Sequence, residues 1–270
     1  MQLGPSLRAL LEDGDESVML DAVALDLARV EFPHLDPALW IKRLDEHASA
    51  VYARGGSSGD GADFLQGLQE YLVEEAGFQG NRQDYYNPRN SCLNFVLDEK
   101  MGIPITLSLI YLEIGRRLNR DVRGISIPGH FLVEFRHQGF SVYLDAYHGG
   151  RFLTREDCIE VAKQAAQITL NMEDPVFGGA TKMQILLRML NNLRGVYLEQ
   201  KSLEKALAIV DLLVMGDRST GAWYKQRAAI RIDMGDWDRA AHDLERYLEL
   251  APFASDRMQV EHYVARLKQP

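Results

Sequence analysis

The sequence predicts an α+β fold: a helical N-terminal part, a core holding an antiparallel sheet, and an all-α C-terminal region. Three observations predict it. Apolar residues recur at helical spacing between Asp15 and Leu118, the period of an amphipathic helix. Between His130 and Tyr147 the period drops to two, with Gln138-Gly139 at the centre, which reads as strand, turn, strand. Beyond Asn192 the chain repeats itself after 34 residues, with Ala206 falling on Ala240, Leu203 on Trp237, Val210 on Leu244 and Leu213 on Tyr247.

Each element has its own punctuation. "DESVMLDAVALDLARVEF" is a helix that ends before Pro33. "DPALWIKRLDEHASAVYARGG" starts with Asp36 as N-cap and Pro37 at the first helical position, and stops at Gly55-Gly56. "GGSSGDGAD" is a polar loop. "DFLQGLQEYLVEEAGF" is a helix with Gly77 as its stop, and "GNRQDYYNPRNS" is turn chemistry around Asn87-Pro88. A short helix over "SCLNFVLDEK" breaks at Gly102, and Pro104 opens the helix "PITLSLIYLEIGRRL". After the hairpin, Thr154 and Asp157 form a capping box for "TREDCIEVAKQAA". "NMEDPVFGGAT" is the linker, giving an expected division into 1–174, with its core at about 79–170, and 175–270. A 34-residue helix-turn-helix period is the tetratricopeptide signature. Gly235 and Asp236 occupy the turn of the second copy, whereas the first has Lys201 where a glycine is usual. "SDRMQVEHYVARL" is the closing helix. Two repeats bury too little surface alone, so they are expected to pack on the preceding domain.

Composition narrows the function classes. The 270 residues are 46% hydrophobic and 26% charged, with a net charge of −9, an ordinary globular composition. An acidic chain without a Lys/Arg run is a poor ligand for nucleic acid or an anionic membrane, and Arg116-Arg117 form no basic stripe. No stretch reaches the roughly 18 uninterrupted apolar residues of a membrane helix. The start "MQLGPSLRALLEDGDE" lacks the pattern of a secretory signal. Two cysteines, Cys92 and Cys158, make no disulfide framework. A cytoplasmic, reduced location is expected, with no cofactor.

The hairpin brings chemistry together. A tight turn that pairs Arg136 with Ser141 sets Leu132 opposite Asp145 and His130 opposite Tyr147. His130 and Asp145 are then diagonal neighbours, their Cα atoms roughly 7–8 Å apart. The register also puts Phe131, Val133 and Phe135 on the same face as Val142, Leu144 and Ala146. His137 and His148 lie at the turn and beyond the second strand without zinc-ligand spacing, and read as exposed loop residues with no metal to hold.

The segments from "GFQGNRQDYYNPRNSCLNFVLDEKMGIPITLSLIYLEIGRRL" through "PGHFLVEF" to "YLDAYHGGRFL" resemble the bacterial SirB-type family, in which a transglutaminase-like domain precedes tetratricopeptide repeats. The resemblance covers nearly the whole chain. It implies a papain-like α+β core whose site is a cysteine at a helix N-terminus, a histidine on one strand and an aspartate on the next. His130 matches the histidine and Asp145 the aspartate. The cysteine position falls on "GIPITLS", with Pro104 where the thiol belongs.

A cysteine in that place owes its reactivity to the helix dipole and a neighbouring imidazole, and proline offers neither thiol nor hydroxyl. Three substitutes are conceivable: Thr106, Ser108 one turn deeper and about 6 Å along the helix axis, and Cys92 on the preceding helix. Each has a plainer role as a cap, a backbone partner or a small buried hydrophobe. Cys158 has no partner pattern at all. Tyr85, Tyr86, Asn87, Arg89, Asn90 and Asn94 either line a binding cleft together with Pro104 and Thr106, or form a buried network that fixes the domain. Asn94 is placed to donate to an oxyanion or to His130. The preferred expectation is a noncatalytic protein- or peptide-binding or regulatory module, engaging its partner through the cleft or the repeats. The alternative is a hydrolase or acyltransferase using Ser108, Thr106 or Cys92 with His130 and Asp145. Oligomeric state is left open.

Overall fold

The computed structural model describes residues 3–56 and 59–268, so Ser57 and Ser58 of the polar loop fall outside the described residues. The chain opens with a helix that the apolar period did not announce, α1 (Pro5–Asp13), between Pro5 and a left-handed Gly14. Its first amides are capped from a distance: Asp26 Oδ2 accepts from the Ser6 N–H at 2.9 Å and the Leu7 N–H at 3.2 Å. The next helix, α2 (Leu20–Ala28), is shorter than expected, because residues 15–18 form a turn instead. Then come α3 (Pro37–Val51), whose last turn widens before Gly55, and α4 (Gly61–Leu68), which continues as a widened helix to Glu75.

A short parallel pair, β1 (Gln79–Gly80) with β2 (Met101–Gly102), brackets the 3-10 turn Pro88–Ser91 and α5 (Leu93–Glu99). The buried helix α6 (Pro104–Arg117) leads into a four-stranded antiparallel meander: β3 (Asp121–Ile125), β4 (Leu132–His137), β5 (Phe140–Asp145) and β6 (Arg151–Leu153). The hairpin register is the expected one, with Arg136 opposite Ser141 and Val133 opposite Leu144. Phe131, Val133, Phe135 and Leu144 pack against the helices on one face of the sheet. The other face is covered as well. Leu132, Tyr143 and Ile125 form a second core with Cys158 and Ala162 of α7 (Arg155–Ala166) and Phe177. Phe177 belongs to the linker, which makes a 3-10 turn over Pro175–Gly178 and is packed down rather than free.

The C-terminal region is α8 (Lys182–Glu199), α9 (Leu203–Gly216), α10 (Gly221–Asp233), α11 (Trp237–Leu250) and α12 (Arg257–Leu267). The starts of α9 and α11, Leu203 and Trp237, keep the 34-residue repeat of the sequence. Lys201 takes a left-handed φ of 56°, as Gly235 does with φ 77° in the second copy. The first pair packs on the preceding domain. Leu186, Leu193 and Val210 join the same apolar cluster as Leu7, Val23 and Leu107, and Tyr197 Oη donates to Glu31 at 2.6 Å.

Candidate functional site

His130 is delivered by the loop between β3 and β4. Gly129 before it has φ 73°, and a Cβ there would lie 2.9 Å from the Ala165 backbone, so only glycine fits the turn. The His130 N–H donates to Ile127 O at 3.2 Å, which fixes the backbone. Asp145 ends β5 on the adjoining strand. The two side chains meet: His130 Nε2 to Asp145 Oδ2 is 2.9 Å, with both residues buried.

Asp145 is a hub rather than half of a pair. Its Oδ1 accepts the N–H groups of Tyr147 and His148, capping the turn that follows, and its Oδ2 also meets His148 Nδ1 at 2.7 Å. Burial alone would raise the Asp145 carboxyl. Hydrogen bonding and charge from His130, then from His148, outweigh it and hold the carboxyl below its ordinary range. His148, expected as a free loop residue, is therefore part of the cluster while remaining half exposed. His130, Asp145 and His148 each offer one donor atom within 4.8 Å of the others, enough to hold a metal ion. A metal would need the nitrogen lone pairs, whereas the present contacts use N–H donors, so ligation and this hydrogen-bonding arrangement exclude each other.

Around His130 runs an aromatic edge. Tyr147 lies edge-on to His130 at 6.2 Å and to Tyr85 at 6.0 Å, and Tyr85 meets Tyr86 at 5.3 Å. Both Tyr85 and Tyr86 are exposed, Tyr86 by 62%. Gly80 backs this edge, since a Cβ there would sit 2.5 Å from the Tyr147 ring. Sequence reasoning placed Tyr147 on a face but not in the site. Its neighbour Asn81, whose carbonyl lies 3.5 Å from Tyr147 Oη, was missed.

The asparagines of the loop are bonded to the loop itself. Asn81 Nδ2 donates to Asn90 Oδ1, Asn90 Nδ2 donates to the carbonyls of Asp84 and Tyr85, and Asn87 caps the turn at Arg89. Thr106 Oγ1 donates to Asn90 O at 2.6 Å and accepts from Ile103 N–H, tying the start of α6 to the loop. Pro104 is the buried first residue of that helix. Asn94 is buried with Oδ1 unpartnered among the described residues. Ser108 is fully buried and its Oγ bonds to nothing among them.

Cys92 lies at the start of α5. Burial, and then the charge of Glu31, push its thiol strongly upward, and its Sγ is 3.9 Å from Pro88 O. Glu31 also receives Tyr197 and Lys205 of the repeat region. Cys158 is inside the second core, its thiol pushed up to about 12 by burial. Among the described residues no hydroxyl or thiol is hydrogen-bonded to His130. The arrangement can hold an oriented imidazole beside an open aromatic wall.

Comparisons with known proteins agree with the architecture. The family described as "Transglutaminase-like superfamily" matches residues 38–191, and "Tetratricopeptide repeat" matches residues 193–265. A UPF0162 protein of Xylella fastidiosa is 30% identical over 245 residues, covering 88% of this chain and 86% of its own. A UPF0162 protein of Pseudomonas aeruginosa is 26% identical, covering 94% of this chain and 93% of its own. Human F-box only protein 21 is 32% identical over 137 residues, 48% of this chain and 21% of its own. No solved structure matches the chain.

Proposed function

The chain belongs to the transglutaminase-like superfamily and carries a tetratricopeptide region behind that domain, and from this premise we propose that it is a protein- or peptide-binding module whose cleft does no acyl-transfer chemistry. The observation that carries this reading is the environment of His130: a hydrogen-bonded aspartate on one nitrogen and no bonded hydroxyl or thiol among the described residues. A base without a nucleophile in reach abstracts no proton from one. The three substitute nucleophiles support the same reading, because Thr106 is used as a cap, Ser108 is enclosed, and the Cys92 thiol is held protonated by burial.

The exposed tyrosines supply what a binding site needs, large amphipathic area at low entropy cost. Repeats packed against the same domain offer a second surface for protein contact. The test is panning of the full chain against a random peptide phage library, followed by affinity measurement on the recovered peptides. The expected result is saturable binding that weakens about tenfold or more in Tyr147→Ala and Tyr85→Ala, as for aromatic anchors. Recovery of no binder, or binders indifferent to both substitutions, would overturn the reading.

A further inference from the structure

Arg188 of α8 lies outside the aromatic edge and bonds to the loop that carries His130. Its Nη1 donates to Ser126 Oγ at 3.2 Å and to Ile127 O at 2.9 Å, and its Nη2 donates to His130 O at 3.2 Å. All three acceptors are uncharged. Among the described residues no carboxylate pairs with the guanidinium, and Nε–H and one Nη2–H find no protein acceptor. Nε and Nη2 flank the edge that a carboxylate engages with two parallel hydrogen bonds. Burial lowers the affinity of this group for its proton, opposed by the Tyr85 phenol. A neutral donor could hold the same carbonyls without the cost of desolvating a cation that lacks a counter-charge.

Arg188 lines a cavity of about 710 Å³ together with Gln184, Asn191, Asn192, Ser126 and Gly129, a volume in the range of ligand sites. Among the described residues no acidic one lines it, although the chain as a whole carries a net charge of −9. Asn191 Nδ2 is used by Leu187 O, whereas the Asn192 amide makes no hydrogen bond among the described residues. Cation, spare amide donor and absence of wall carboxylates make this a local exception to an acidic surface.

We propose that this cavity is a carboxylate-binding subsite in which Arg188 and Asn192 receive the C-terminal or acidic side-chain carboxylate of the peptide held by the cleft. The proposal rests on the reading of the cleft as a binding surface. Because the guanidinium also holds His130 O, an occupant of the subsite is felt at the His130–Asp145 cluster.

The test titrates the full-length, 15N-labelled chain with acetate, with neutral acetamide, and with two blocked residues: N-acetylalanine, whose carboxylate is terminal, and the α-amide of N-acetylglutamic acid, whose one free carboxylate is on the side chain. The readouts are the Arg188 Nε–H and His130 ring resonances. Acetate is expected to shift both saturably, with a Kd on the order of millimolar for so small a ligand, while acetamide shifts neither. The blocked residue that binds more tightly identifies the source of the carboxylate. Arg188→Gln abolishes the effect, and Asn192→Ala, which leaves the loop contacts intact, weakens it severalfold. A linear acetate response, an equal response to acetamide, or an unchanged affinity in Asn192→Ala overturns the proposal; the last criterion holds even where Arg188→Gln fails to fold. Acetate binding without any peptide binder sinks only the cleft reading, and peptide binding without acetate binding sinks only the subsite.

Discussion

At the residue scale, Asp145 organises the site. It accepts from two backbone amides and meets two imidazoles, so Asp145→Asn keeps the size but loses the charge and acceptor capacity. The expected cost is about 1–3 kcal/mol of stability, measured by urea unfolding. Its folded carboxyl titrates below its unfolded one. Its contribution is therefore present above the unfolded carboxylate pKa and is lost as pH falls through the lower folded value; Asp145→Asn should flatten that acid limb. His47 adds a second pH effect. Burial, then the charges of Lys100 and Arg43, bring its pKa down to about 4. Stability carried by neutral His47 declines as pH falls from the ordinary histidine value of roughly 6.5 toward that lower one, and His47→Phe should remove this window from the stability profile. The thiols give a third check. With both thiols buried and raised, iodoacetamide at neutral pH should leave Cys92 and Cys158 unmodified in the native protein and alkylate both in guanidinium.

How much of the site was legible also shows at this scale. His130 and Asp145 could be paired because period-2 strands fix which residues face each other. His148 could not be added, since it belongs to a turn whose geometry is set by Asp145 capping amides, not by strand alternation. Arg188 was hidden for a different reason. It interrupts the apolar run "LLRMLNNL", which is a signal of a buried cation, but its acceptors lie some sixty residues away in the 126–130 loop.

At the scale of elements, the hairpin register followed from Gln138-Gly139 and two coincident apolar faces, and the structure keeps it. The cover over Leu132 and Tyr143 was not legible, because only tertiary packing of α7 and Phe177 supplies it. Helix α1 carried its own signals, Pro5 and Gly14, in a stretch too short for its period to stand out. The turn at Gly129 is expected to be intolerant: Gly129→Ala should cost about 2 kcal/mol or more from left-handed strain and contact with Ala165, and should broaden the His130 ring resonance. The opposite sign is expected at the repeat turn. Lys201 occupies a left-handed position that glycine takes in the second copy, so Lys201→Gly should stabilise by about 0.5–1 kcal/mol, read as a rise in Tm.

At the scale of the whole molecule, one apolar cluster runs from α1 through the sheet into α8–α11, and Glu31 and Arg188 bridge the same boundary. The repeats are thus built onto the domain that carries the cleft, and calorimetry of the full chain should show one transition with a calorimetric to van't Hoff enthalpy ratio of ~1. No helix among the described residues is long and apolar enough to cross a membrane. His130 and Asp145 are joined by a hydrogen bond, and Pro104 opens α6. The most direct test of a cleft that binds without acyl-transfer chemistry is intact-mass analysis of the native chain after exposure to a fluorophosphonate and to p-nitrophenyl acetate. The predicted result is no adduct that depends on His130. An adduct on Ser108, Thr106 or Cys92 that disappears in His130→Ala would contradict it.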